Sequence, residues 1–285
     1  MKNPLLRTAV RFLLVFGLAP FVPPALAYPP APYHLIYGIV RDEYGTPLMS
    51  SDAQIILQTP TGVQLSTTVV PGLGPDRNYA LQVPMDAGLT PDPYIPAALT
   101  VSAPFKLYVV VNTTTNLPIE MSGNFALLGL PAQQTRLDLT LGVDANGDGI
   151  PDAWEQAFLS ALGSNLSLSD LNANSVLTPD GQSLFQQYLL GDYLFDPGAS
   201  LKLTFVRLNG DSPTLQFSTM TGRSYTLLGS PDLKSWTPLS FRIPSEGDSG
   251  SVYSYYWAPD IRTLQVQPLR PASGPPMRFF KVMLQ

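Results

Sequence analysis

The 285-residue sequence has no cysteine and one histidine, His34. Without cysteine there is no disulfide framework, no thiol nucleophile and no lipid anchor through an N-terminal cysteine. Zinc sites draw on Cys or clustered His, so zinc is disfavoured with them. There is no G-x-S-x-G, no H-E-x-x-H and no glycine-rich phosphate loop, so the common local signatures of acyl transfer, zinc proteolysis and nucleotide chemistry are missing. His34 stands far in sequence from any nucleophile motif and reads as a strand-end surface residue rather than a base. Carboxylate-based glycosidases leave no fixed local signature, but small β domains with few charges suit them poorly. The expectation is a non-enzymatic protein.

Charge is scarce too: 13% of the residues are Asp, Glu, Lys or Arg, about half the usual share. The net charge of −5 comes without a basic cluster, which argues against a nucleic-acid partner. The one apolar run, Phe12 to Val22, is too short to span a membrane and is broken by Pro20, with Pro23 and Pro24 following it. Lys2, Arg7 and Arg11 precede it and Ala25-Leu26-Ala27 follows. That order predicts a secretory signal peptide over 1–27, cut after Ala27, and a secreted or cell-surface location with no later membrane span. An exported chain without disulfides must draw its stability from apolar cores or bound ions.

What is present points to β structure. There are 30 prolines and 10% aromatics, a composition of strands separated by long turns. After an extended leader at 28–33, HLIYGIVRDEYGTPL predicts a largely buried strand and a turn over Glu43–Pro47. AQIILQT, VQLSTTVV, NYALQVP, LTVSAPFKLYVVVN and TRLDLTLG follow at sandwich-like spacing. They define an N-terminal β-sandwich over 34–142. A second set, LKLTFVRL, TLQFSTM, SYTLLGS, SVYSYYWA, TLQVQPL and MRFFKVML, predicts a C-terminal β-sandwich over 198–285, with turns at Asn209-Gly210 and Ser230-Pro231-Asp232.

Between them, 143–197 changes to helical spacing. Trp154, Phe158 and Leu162, with Leu159 beside them, make one apolar helix face. A second helix is expected from Thr178 as N-cap, with Pro179 and Asp180 in its first turn, apolar residues at Leu184, Phe185, Tyr188 and Leu189, and a stop at Gly191. The fold class is therefore mainly β, with two β-sandwich domains joined by a small two-helix, calcium-binding segment.

The most specific stretch is DANGDGIPDAWE, 144–155. It meets every position of D-x-[DN]-x-[DN]-G-x₅-E. Asp144, Asn146 and Asp148 alternate toward one centre, and Gly149 permits the bend. Ile150 offers a main-chain carbonyl, Asp152 a direct or water-mediated ligand, and Glu155 two closing oxygens. Calcium takes six to eight oxygens in a flexible shell, whereas magnesium prefers a tight octahedron with retained waters, so Ca²⁺ is the expected cofactor. The alternative is a helix-capping polar turn, which accounts for the Asp, Asn and Gly residues but not for Glu155. A second stretch, Asp170, Asn172 and Asn174, shares the spacing but lacks both the Gly and the closing acid.

The 144–155 loop resembles an EF-hand, and more closely a dockerin or thrombospondin-type-3 loop–helix, since a strand-like segment enters it and Pro151 follows the main-chain ligand. GIVRDEYGTPL, AQIILQT and NYALQVP resemble a carboxypeptidase-regulatory-like, transthyretin-like β-sandwich, which implies a non-catalytic accessory domain. SYTLLGSPDLKSWTPL with RFFKVML resembles a C-terminal β module of secreted proteins of environmental bacteria, which implies architecture rather than function.

Tyr253, Tyr255 and Trp257 alternate onto one face of SVYSYYWA and Tyr256 onto the other. One aromatic face suits a sandwich core, while an exposed one would stack on sugars or mark an interface. Trp236 reads as a plug at a sandwich end. The leading expectation is an exported calcium-binding structural or adhesive protein. The alternatives are a carbohydrate-binding accessory protein using exposed aromatics, and a dockerin-like docking module. The partner, protein or polysaccharide, is open.

Overall fold

The structure, a computed structural model, describes residues 30–191, 201–209, 212–247, 250–271, 273 and 275–284. The expected signal peptide, residues 28 and 29 of the leader, the 197/198 boundary and Gly210 of the expected turn lie outside these residues, while the rest of the leader leads into the first strand, which already begins at Ala31.

The chain is mainly β. Ten strands come first: β1 (Ala31–Gly38), β2 (Val40–Arg41), β3 (Gln54–Gln58), β4 (Gln64–Thr68), β5 (Tyr79–Met85), β6 (Pro104–Val111), β7 (Thr114–Asn116), β8 (Ala126–Leu127), β9 (Gln134–Arg136) and β10 (Leu139–Thr140). Two helices follow, α1 (Asp152–Leu162) and α2 (Leu184–Leu190). The remaining strands are β11 (Thr204–Asn209), β12 (Ser212–Thr219), β13 (Ser224–Ser230), β14 (Thr237–Pro238), β15 (Phe241–Arg242), β16 (Tyr256–Trp257), β17 (Arg262–Pro268) and β18 (Phe279–Leu284). Among the described residues no helix is long and apolar enough to cross a membrane.

In the first part, β1 is flanked by antiparallel β5 and parallel β9, and β4-β3-β6-β7 forms a second sheet with β8 on β6. Alternation turns Ile36, Ile55, Leu57, Leu81, Val83, Leu107 and Val109 inward, so both sheets feed one apolar core. In the last part, β11-β12-β17-β15 and the sheet built on β13 (with β14, β16 and β18) feed another, around Phe217, Tyr225, Leu227, Phe241, Leu264 and Val266.

The expected TRLDLTLG strand is split. β9 runs parallel to β1 and β10 parallel to β2. Asp138, between them, accepts the Ile39 N–H (3.1 Å) and pairs with Arg41 (3.1 Å) and Arg136 (3.2 Å). Burial opposes its charged form, but the Arg136 hydrogen bond, the Arg41 and Arg136 charges and the Ile39 N–H together hold its carboxyl below the ordinary range. This anchored strand delivers the chain into residues 142–155.

The turn after β2 forms as expected, with Asp42 Oδ1 accepting the N–H groups of Tyr44 and Thr46, both at 2.9 Å. Three expectations are corrected. His34 is buried, not a strand-end surface residue, because β1 is the middle strand of its sheet; its ring nitrogens meet the Leu130 carbonyl (3.1 Å) and Thr135 Oγ1 (2.9 Å). SVYSYYWA is a strand only at Tyr256–Trp257, and Tyr256 is the buried ring while Tyr253, Tyr255 and Trp257 are half-buried. The second helix starts at Leu184, not after Thr178, because Ser183 supplies the cap.

Candidate functional site

Residues 143–191 contain six acids (Asp144, Asp148, Asp152, Glu155, Asp170 and Asp180) and no Lys, Arg or His. The segment therefore has no cationic side chain of its own to neutralise a buried carboxylate.

Asp144 organises the first loop from its first position. Its Oδ1 accepts the N–H of Gly147 (2.7 Å) and of Asp148 (3.3 Å), and its Oδ2 that of Gly149 (2.9 Å). Asn146 Oδ1 accepts the Asp148 N–H (3.1 Å), and Asp148 Oδ1 that of Ile150 (2.9 Å). Asp152 reaches back to the Ala145 N–H (2.9 Å), while its own N–H donates to the Val143 carbonyl (2.8 Å). Ile150, fully buried, roots the loop in an apolar cluster with Trp154, Phe158, Leu159, Leu171, Leu184 and Tyr188.

Glu155, in the first turn of α1, is 0% exposed, yet neither carboxylate oxygen has a hydrogen-bond partner, and Asp148 Oδ2 is likewise buried and unpartnered. Burial, followed by the charges of Asp148, Asp152 and Asp144, pushes the Glu155 carboxyl up to about 7 from its ordinary 4.5. The Asn146 side chain stands near enough to offset this in part, without forming a geometric hydrogen bond. Burial also raises the Asp148 carboxyl, against the Ile150 N–H.

Among the described residues no three His, Cys, Asp or Glu side chains are gathered into a metal-ready cluster. The hydrogen bonds account for this, since the Asp144 and Asp152 carboxylates are turned to the loop's own backbone. The buried loop oxygens that accept no hydrogen bond are Asp148 Oδ2 and both carboxylate oxygens of Glu155.

The expected second stretch serves local structure. Asp170 Oδ2 accepts both the N–H (2.9 Å) and the hydroxyl (2.6 Å) of Ser167 in a capping box, and Asn172 Oδ1 accepts the Asn174 N–H (3.0 Å). Sequence spacing overlooked the loop directly before α2. There Thr178 Oγ1 donates to Asp180 Oδ1 (2.6 Å), Gln187 Nε2 donates to Thr178 Oγ1, and Asp180 Oδ1 accepts the Gln182 N–H (3.1 Å).

The two helices share a core in which Trp154 stacks on Phe158 (centroids 4.9 Å apart) and meets Tyr188 edge-on (5.6 Å). The edge of the Tyr188 ring lies against Gly45, where a Cβ would stand 2.8 Å from it. Arg223, just before β13, is buried and donates to the carbonyls of Leu189 and Gly45, both at 3.0 Å. One guanidinium thus joins the end of α2, the β2 turn and the last set of strands. Trp257, half-buried, packs against Gly72. No protein-family model, curated protein or solved structure matches this chain.

Proposed function

We propose that DANGDGIPDAWE holds a calcium ion, and that the chain is an exported, non-catalytic structural or adhesive protein of the cell surface or extracellular space. In this reading two β-sandwiches, 34–142 and 198–285, flank the loop-and-helix segment, and the ion braces the join. The observation that carries it is Glu155, wholly buried with both oxygens unpartnered beside the free oxygen of Asp148. Leaving a buried ionised group unpaired costs several kcal/mol, and 143–191 has no cationic side chain to offset that cost.

Asp144, Asn146, Asp148, Asp152 and Glu155 would contribute side-chain oxygens, and Ile150 its carbonyl. A bound calcium supplies two positive charges and accepts six to eight oxygens. Its role here is structural, since a loop that fills the ion's shell with its own residues leaves no open position for substrate. Extracellular modules of this kind bind calcium at roughly 10⁻⁴ to 10⁻³ M, and a tenfold excess over that adds about 1.4 kcal/mol of stability.

The test is a thermal melt of the full chain in calcium and in chelator, beside Glu155→Gln. Calcium should raise the midpoint of the native chain by a few degrees, on the order of 2–5 °C. Glu155→Gln should lose most of that shift and, in chelator, melt no lower than the native chain, because it removes an unpaired buried charge. Identical native melts in calcium and in chelator would sink the proposal.

A further inference from the structure

Counted from Asp144 and from Val176, the two loop–helix units match at the fifth, sixth, eighth, ninth and twelfth positions, and part at the fourth, where Gly147 at φ +75° faces Pro179. The sixth residue is glycine at positive φ in both, Gly149 at +89° and Gly181 at +78°. The fifth is an aspartate whose Oδ1 accepts the N–H of the seventh, at 2.9 Å for Asp148 and Ile150 and 3.1 Å for Asp180 and Gln182. The eighth is the extended N-cap, Pro151 and Ser183. The ninth opens the helix, and its N–H returns to the carbonyl just before the loop: Asp152 to Val143 (2.8 Å), Leu184 to Ser175 (2.9 Å). The twelfth is a buried long polar side chain, Glu155 in one and Gln187 in the other.

The side-chain chemistry differs more. In the first unit positions one, three, five and twelve are Asp, Asn, Asp and Glu; in the second they are Val, Thr, Asp and Gln. The first leaves its fifth and twelfth residues with three unpartnered carboxylate oxygens, whereas the second leaves one neutral amide oxygen, that of Gln182 at the seventh. In the second, Gln187 Nε2 donates to Thr178 Oγ1, which donates to Asp180 Oδ1. A neutral amide N–H at the twelfth position thereby meets the hydroxyl of the third, which in turn donates to the carboxylate of the fifth, without any positive charge.

We propose that residues 176–187 are a second cation loop of the same design, in which the Gln187 side-chain amide stands where the cation would, so that the chain takes one calcium ion and keeps a latent second site. The inference rests on reading 144–155 as the occupied loop. Val176→Asp with Gln187→Glu restores the first and twelfth carboxylates to the scaffold that already carries Asp180 and Gly181.

Calorimetric titration with calcium should give one ion per native full chain and two per Val176→Asp/Gln187→Glu chain. A folded double variant that still takes one ion overturns the inference. A native chain that takes none, beside a double variant that takes one, removes the reading of 144–155 while supporting this one; a double variant that also takes none removes both. Thr178→Val guards against a double variant that does not fold, since it deletes only the hydroxyl that accepts from Gln187 and donates to Asp180. It should lower the melting midpoint equally in calcium and in chelator. No loss, or a loss confined to calcium, overturns the inference.

Discussion

The two loop–helix units put one backbone to opposite electrostatic use. Around Gln187 a relay runs from amide to hydroxyl to carboxylate, and the unpartnered oxygen nearby is the neutral Oε1 of Gln182. Around Glu155 three buried oxygens of Asp148 and Glu155 are left over. The position of Glu155 in the first turn of α1 helps, because a helix N-terminus favours negative charge by about 0.3–1 kcal/mol. That is small against the several kcal/mol needed to bury an unpaired charge. The comparison teaches that a glutamine at the twelfth position can donate to the third, whereas a glutamate there is left with both oxygens unpartnered.

The largest expected effect breaks both units together. Trp154 is 2% exposed and touches Phe158 and, across the pair, Tyr188. Trp154→Ala should cost about 3–5 kcal/mol, with calcium or without, as read by urea unfolding. A loss seen only in calcium would mean that the second unit stands without the first, and the shared core would not couple them.

Much of this was legible in sequence. Period-two alternation located the strands of β1, β3, β5 and β12, because each has one face turned to a core. The face of α1 was legible at Trp154, Phe158 and Leu159, while Leu162, in the last turn before Gly163, is 36% exposed. The start of α2 was misjudged because Thr178-Pro179-Asp180 satisfies the usual cap preferences. The better signal stood a few residues on, in Ser183 and Gln186, whose side chains cap reciprocally. Spacing picked out Asp144 to Glu155 but tied the second loop to Asp170, since Val176 and Gln187 are not ligand residues and only backbone geometry reveals their positions. The lack of cations across 143–191 could have been read from the sequence. The unpartnered state of Glu155 could not, because it depends on which N–H groups the other carboxylates have already taken.

A smaller effect sharpens the likeness of the two backbones. Gly149 and Gly181 both have positive φ, and a Cβ added at either would meet nothing within 4 Å. Alanine at either site therefore carries a conformational cost alone, about 1–2 kcal/mol for a side chain held in the left-handed region. The two variants should lose similar stability when measured in chelator. A neutral Gly181→Ala beside a costly Gly149→Ala would show that the loops share spacing but not shape.

The smallest effect lies at the eighth position, where the units diverge. Ser183 Oγ accepts the Gln186 N–H at 3.3 Å, and Gln186 Oε1 accepts the Ser183 N–H at 3.0 Å. Pro151 makes no side-chain cap, and at φ −66° it contributes mainly by restricting the unfolded chain. Ser183→Ala should then cost about 1 kcal/mol through lost hydrogen bonds, and Pro151→Ala about 0.4–1 kcal/mol through regained chain entropy. Amide exchange separates the two causes. Losing the Ser183 cap should speed exchange at the Gln186 N–H more than at the rest of α2, whereas Pro151→Ala should leave the exchange pattern at the start of α1 unchanged relative to the rest of that helix. Local fraying at α1 in Pro151→Ala would mean that the proline shapes the folded loop, and the first unit would owe its closed backbone to more than Asp144.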